Sequence, residues 1–110
     1  MDSYNVEISP TAREQLGCYA DYIQFTLLNE SAADAVLSDA YETIEELETS
    51  AGSLPFCDDP DLKALGYHIV LFRRHDYVMI YDIFEHTARI KAIYHRLQDY
   101  ENLFSSTFQL

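Results

Sequence analysis

The chain has 110 residues, 48% of them apolar, and a formal net charge of −12. This is the length of one ordinary domain, with enough apolar side chains for one packed core. The negative charge argues against broad contact with a nucleic-acid backbone, which calls for a basic surface.

The charge is uneven. Residues 1–62 hold 14 acids and a single base, Arg13, whereas residues 63–110 hold five acids and six bases. The acidic part reads as a solvated helical surface, or as one that attracts a basic partner. No apolar run approaches the ~18 residues of a membrane span. The start, Met1-Asp2-Ser3-Tyr4-Asn5, lacks the basic and apolar stretches of a signal peptide. A cytoplasmic protein without membrane association is the expectation. Two cysteines, Cys18 and Cys57, lack metal spacing and are too few for a disulfide scaffold. Both are expected to be structural or incidental, with Cys18 a small apolar filler in a helix.

Tyr4 to Ile8 alternates apolar and polar residues, as a half-buried strand does. Ser9 or Thr11 then caps a helix, with Glu14 placed for a capping box. Ala12, Leu16, Tyr19 or Ala20, Ile23 and Leu27 recur at helical spacing. Gly17 lowers that helix's propensity by about 1 kcal/mol, which suggests close approach of a neighbour. Asn29-Glu30-Ser31 breaks the pattern, and Ser31 is read as the cap of a second helix. Its apolar stripe is Ala33, Val36, Leu37, Ala40, Ile44 and Leu47, with Asp39, Glu42, Glu45, Glu46 and Glu48 outside. The short link makes these helices antiparallel neighbours.

Ser50 to Asp61 reads as one long loop. Its run Asp58-Asp59-Pro60-Asp61 lacks the glycine and distal glutamate of a calcium loop, so no metal is expected. Three strand patterns follow. His68, Val70 and Phe72 oppose Tyr67, Ile69 and Leu71; Val78 and Ile80 oppose Tyr77, Met79 and Tyr81; Ile90, Ala92 and Tyr94 oppose Arg89, Lys91, Ile93 and His95. Both faces are largely apolar, so the strands are central or covered by helices. Arg73-Arg74-His75-Asp76 and Glu85-His86-Thr87 are the turns between them. Gln98 to Phe104 forms a last short helix, and residues 105–110 are expected to fray. The fold class is therefore α+β in the order β-α-α-β-β-β(-α). A three-stranded antiparallel meander is joined by the N-terminal strand, and the helical hairpin packs on one face. Residues 1–104 make one domain.

These pieces, in this order, resemble the RelE/ParE superfamily, the plasmid-stabilisation-like toxins of bacterial type II toxin–antitoxin systems. The resemblance rests on Ile8-Ser9-Pro10 with Ala12, Tyr22-Ile23, Ala32-Ala33, Leu47, Pro55, Gly66-Tyr67, Tyr77-x-x-x-Tyr81 and Tyr94-His95-x-x-x-Asp99-Tyr100. It implies a growth-inhibiting toxin neutralised by a cognate antitoxin in a hetero-oligomer. It also implies one of two targets: DNA gyrase for the ParE branch, or messenger RNA in the ribosome for the RelE branch. No cofactor is implied. Ribonuclease members carry arginine where this chain has Val78, and lysine or arginine near His68 and Val70. Without those cations a crowded phosphate is harder to stabilise. The expectation is a ParE-like inhibitor. The alternatives are a RelE-type messenger endonuclease and a degenerate, non-toxic binding module.

If there is catalysis, His95, Arg96 and Tyr94 are the candidates. Histidine serves as acid or base, arginine as a fork for phosphate, and tyrosine as a donor or stacking platform. His68, Arg73, Arg74, His75 and Tyr100 are candidate contacts to a target or partner.

Overall fold

The structure is a computed structural model that describes residues 3–110. Met1 and Asp2, which open the expected domain and the stretch read for a signal peptide, lie outside the described residues. The elements are β1 (Asn5–Ile8), α1 (Pro10–Asp21), a π-helical turn (Tyr22–Thr26) and α2 (Glu30–Ser50). A short 3-10 turn (Ala51–Ser53), α3 (Pro60–Ala64), β2 (His68–Leu71), β3 (Tyr77–Phe84), β4 (Thr87–His95) and α4 (Tyr100–Phe108) follow. The sheet order is β1-β4-β3-β2, with β2-β3-β4 an antiparallel meander and β1 parallel to β4. No helix among the described residues is long and apolar enough to cross a membrane.

Ser9 starts α1. Its hydroxyl oxygen accepts the Ala12 N–H at 3.1 Å and donates to the Lys91 carbonyl at 2.9 Å, so one side chain caps the helix and ties it to β4. Beyond the end of β1, side chains of α1 serve the exposed backbone of β4. Gln15 accepts the Ile93 N–H at 2.8 Å, and the Tyr19 hydroxyl donates to the Ile93 carbonyl at 2.9 Å. This satisfies an edge that would otherwise invite pairing.

The sheet is covered on both faces. The α1–α2 hairpin packs Leu16, Val36, Ala40 and Leu47 on Val70, Phe72, Met79, Tyr81, Ile90 and Ile93. On the other face, Val78, Ile80, Ala92 and Tyr94 pack beneath Cys57, Leu62 and Phe104, so α3 and α4 form a second, smaller core. The Tyr81 hydroxyl crosses the first core to donate to the Ala51 carbonyl at 2.6 Å.

Several local expectations are corrected. The first helix ends at Asp21, and the next turn widens: the Leu27 N–H reaches the Tyr22 carbonyl, five residues back, at 3.1 Å. Asn29, not Ser31, caps α2, its side-chain oxygen accepting the Ala32 N–H at 3.0 Å. The Asp58–Asp61 run starts a helix instead of a loop, because the Asp59 carboxylate accepts the N–H groups of Asp61 and Leu62. Gly66, at φ +90°, ends that turn in a conformation other residues avoid. Cys57 fills the core and Cys18 is exposed, the reverse of the helical-filler reading. A Cβ at Gly17 would meet nothing within 4 Å, so no close approach explains that glycine. Residues 105–108 continue α4 instead of fraying, because Phe108 packs on Phe104 with ring centroids 4.7 Å apart.

The largest change of register is in β4. Ile80 pairs with Ala92 but Tyr81 pairs with Ile90, so Lys91 is an extra residue. Such a bulge inverts the alternation beyond it. Ile90 and Ile93 join the hairpin core, while Ala92 and Tyr94 turn to the opposite face.

Candidate functional site

Asp39 lies on α2 three residues after Val36 and four before Thr43, so it shares their inward face. All three are buried, and Asp39 is 0% exposed. Its carboxylate reaches the β2–β3 turn, where Oδ1 accepts the Arg73 N–H at 3.2 Å and Oδ2 accepts the Arg74 N–H at 2.9 Å. The His75 ring completes the set, with Nδ1 2.7 Å from Oδ2. Burial by itself would raise the Asp39 carboxyl. The bonds from His75, Arg74 and Arg73 outweigh it and hold the group below its ordinary value. An ionised carboxylate only accepts, so Nδ1 of His75 is the donor and Nε2 is left to the other side of the ring.

The same turn forms one wall of a cleft of about 390 Å³. Arg74, His75, Asp76, Tyr77 and His95 line it from the sheet end. Ile23, Leu27, Asn29, Ala32 and Val36 line it from the hairpin. Tyr77 and His95 are register partners across β3 and β4, with rings edge-on at 5.4 Å. Nδ1 of His95 accepts the Leu97 N–H at 3.2 Å, which leaves Nε2 to carry the proton of the neutral ring. The cleft thus holds two imidazoles with opposite tautomeric preference, a phenol and an apolar floor. That is a site able to bind an apolar group and exchange hydrogen bonds with a polar one.

Three of the eight site residues expected from the sequence meet here: Arg74, His75 and His95. The others do not. Tyr94, next to His95 in the strand, faces the opposite side of the sheet, is 5% exposed and lies in the second core, its hydroxyl without a partner among the described residues. The acid–base group expected from Tyr94, His95 and Arg96 is therefore split between two faces. His68 is buried, stacked on Phe56 at 4.1 Å and Tyr81 at 5.1 Å, with Nδ1 donating to the Leu54 carbonyl at 2.9 Å. It has no surface to offer a partner. Tyr100 packs into the second core, and burial raises its phenol. Arg96 is on the surface with Nη1 3.8 Å from the Asp76 carboxylate.

Arg74 and Arg73 are not loose cations either. Arg74 is 2.6 Å from Glu42 and Arg73 is 3.7 Å from Glu46. Arg89 pairs with Asp82 through two bonds of 2.8 and 2.6 Å. Among the described residues, these pairs and that of Arg96 engage four of the seven Lys and Arg side chains with carboxylates. The acids of α2 thus neutralise the turn that the sequence reads as basic. Asp39, Asn29 and Tyr77 escape the sequence reading. For Asp39 the missed signal is its place in the series 36, 39, 43, 47.

A family model described as the ParE toxin of the type II toxin–antitoxin system parDE matches residues 6–100. The chain belongs to the ParE toxin family. Among solved structures, the chromosomal ParDE toxin–antitoxin system of P. aeruginosa is similar to this ParE-family chain with a TM-score of 0.70 at 15% identity. The match covers 84% of this chain and 96% of that one. The toxin–antitoxin complex RelBE2 of Mycobacterium tuberculosis is similar with a TM-score of 0.56 at 24% identity, covering 89% of this chain and 97% of that one. No curated protein matches the chain. The α+β order and the packing of helices on a four-stranded sheet are thus those of ParE and RelE toxins. The positions at which ribonuclease relatives are expected to carry cations are held by Val78, His68 and Val70, at 0%, 6% and 3% exposure.

Proposed function

We propose that this ParE-family toxin arrests growth by binding its target, not by cutting messenger RNA, and that a cognate antitoxin neutralises it by covering the His75–His95 cleft. The observation that carries this reading is the dispersal of the ribonucleolytic candidates. Tyr94 and His95 lie on opposite faces, and Arg96 stands beside Asp76. Transition-state stabilisation needs donors converging on one point. A surface with most of its arginines engaged by carboxylates also gives a polyanion little to hold.

A second reading is favoured by one observation, the two imidazoles of His75 and His95 in a single cleft. A weak ribonuclease would use them as acid and base.

The test is tightly controlled induction of the chain, with and without the small open reading frame beside its own. Arrest relieved by the neighbour is the expected result. His95→Ala and Arg96→Ala are expected to change the arrest by less than about twofold, and a translating extract given the purified chain is expected to keep its messages intact. Relief of arrest by His95→Ala together with cut message would replace the binding reading with the ribonuclease.

A further inference from the structure

The tip of the helical hairpin carries features that the fold does not require. Tyr22, Phe25, Leu27 and Leu28 are 56%, 67%, 56% and 85% exposed, on consecutive turns of the same connection. Leu28 has φ 54°, a left-handed conformation that suits glycine or asparagine and is unfavourable for leucine. The preceding turn is π-helical, a widened form that recurs at functional sites. An exposed apolar group in a strained backbone is an expense in the free chain, and such strain is retained where it serves binding.

The surroundings select the occupant. Asp21, Glu30 and Asp34 are exposed beside the tip, and none of them is in an ion pair among the described residues. The nearest arginine of the cleft, Arg74, is engaged by Glu42. Leu27 also lines the cleft, so the patch and the cleft are continuous. A second copy of the chain would set the same carboxylates against one another. We infer that the hairpin tip is a docking surface for a segment of the antitoxin that carries apolar anchors between basic residues. One anchor enters the cleft beside Leu27, and the basic side chains face Asp21, Glu30 and Asp34. This rests on the antitoxin partnership proposed above and adds the place and chemistry of the contact. Charge complementarity of this kind sets on-rate and partner choice, while the apolar anchors set most of the affinity.

The test is calorimetric titration of the purified full chain with the purified product of the adjacent small open reading frame, at 50 and 300 mM salt. The unmodified chain is expected to bind with an affinity that falls about tenfold or more across that range. The double variant Phe25→Ser, Leu28→Asn is expected to bind at least tenfold more weakly. Asparagine tolerates the left-handed backbone, so the variant's thermal midpoint is expected to stay within a few degrees of the original. Asp21→Asn with Asp34→Asn is expected to flatten the salt dependence. Unchanged affinity of the Phe25/Leu28 variant, or binding indifferent to salt, overturns the proposal. No binding by the unmodified chain overturns the partnership itself and this proposal with it. A reduced affinity in the Leu28→Asn variant alone, at unchanged melting temperature, supports a contact role over a structural one.

Discussion

Asp39→Ala is expected to destabilise the fold by about 3 kcal/mol, the scale for removing one partner of a buried, charged hydrogen-bonded set. Three donors lose their acceptor together: the N–H groups of Arg73 and Arg74, and Nδ1 of His75. The turn between β2 and β3 is then held by backbone bonds, such as that from Phe72 N–H to the Tyr77 carbonyl at 3.0 Å, and by the exposed ion pairs of Arg73 and Arg74 with α2. Asp39→Asn keeps one acceptor oxygen and is expected to cost roughly half as much. Urea unfolding of the three proteins gives the comparison. A loss for the alanine variant below about 0.5 kcal/mol, the range of ordinary surface substitutions, would contradict this account of the turn.

The same group predicts a pH dependence. Its folded-state value lies below the reference of 3.8. A carboxyl depressed by folding stabilises the native state at pH above its unfolded value, and that contribution is lost as pH falls through the folded value. The Asp39 contribution is therefore complete at neutral pH and is lost progressively below about pH 4. The chain's many other carboxylates protonate in the same range and relieve their mutual repulsion, which acts in the opposite direction. The difference between the original chain and Asp39→Asn removes that shared background. This difference is expected to hold from pH 6 to about pH 4.5 and then to shrink as melting temperatures are followed down to pH 2.5.

Phe104→Ala is expected to cost about 3–5 kcal/mol, the range for a large aromatic side chain deleted from a closed core. Phe104 is 0% exposed, sits edge-on to Tyr67 at 4.9 Å and holds Phe108 at 4.7 Å. A helix of nine residues has little stability in isolation. Without this anchor α4 is expected to open well before the sheet, so its amides should exchange with solvent faster than those of β3 and β4. Phe108→Ala, at the partly buried end of the helix, is expected to cost less. Equal exchange of α4 and the central strands in Phe104→Ala would mean that the second core does not depend on this side chain.

The start of α1 is legible in the sequence, whereas the equally local caps Asn29 and Asp59 are not picked out by it. Ser9 caps α1 because a hydroxyl three residues before an amide needs no help from the rest of the chain. Beside the Arg73-Arg74 turn, nothing local announces that Glu46 and Glu42 stand opposite, because that approach joins residues about 30 positions apart. The acids of α2 were read together as a solvated face. One of them, Asp39, was instead buried by the hairpin turn that it organises. Of the candidate catalytic group, Tyr94 and His95 are parted by ordinary strand alternation, and the extra residue decides only that Ile90 lies on the face opposite Tyr94. Period-two alternation holds only while a ladder is regular, and Lys91 interrupts it.

The sequence alone determined the class of this protein. Its alternating and helical periodicities suffice for the α+β class, because burial of apolar faces and local capping are encoded at short range, and its resemblance to the RelE/ParE toxins agrees with the family match. Tertiary structure decided which polar groups work together. It joined Asp39 to His75, brought His75 and His95 into one cleft, tied arginines to the acids of α2 and sent Tyr94 to the far face. Such pairings depend on strand register and on how a helix crosses the sheet, and side chains distant in sequence acquire their partners only when both are fixed.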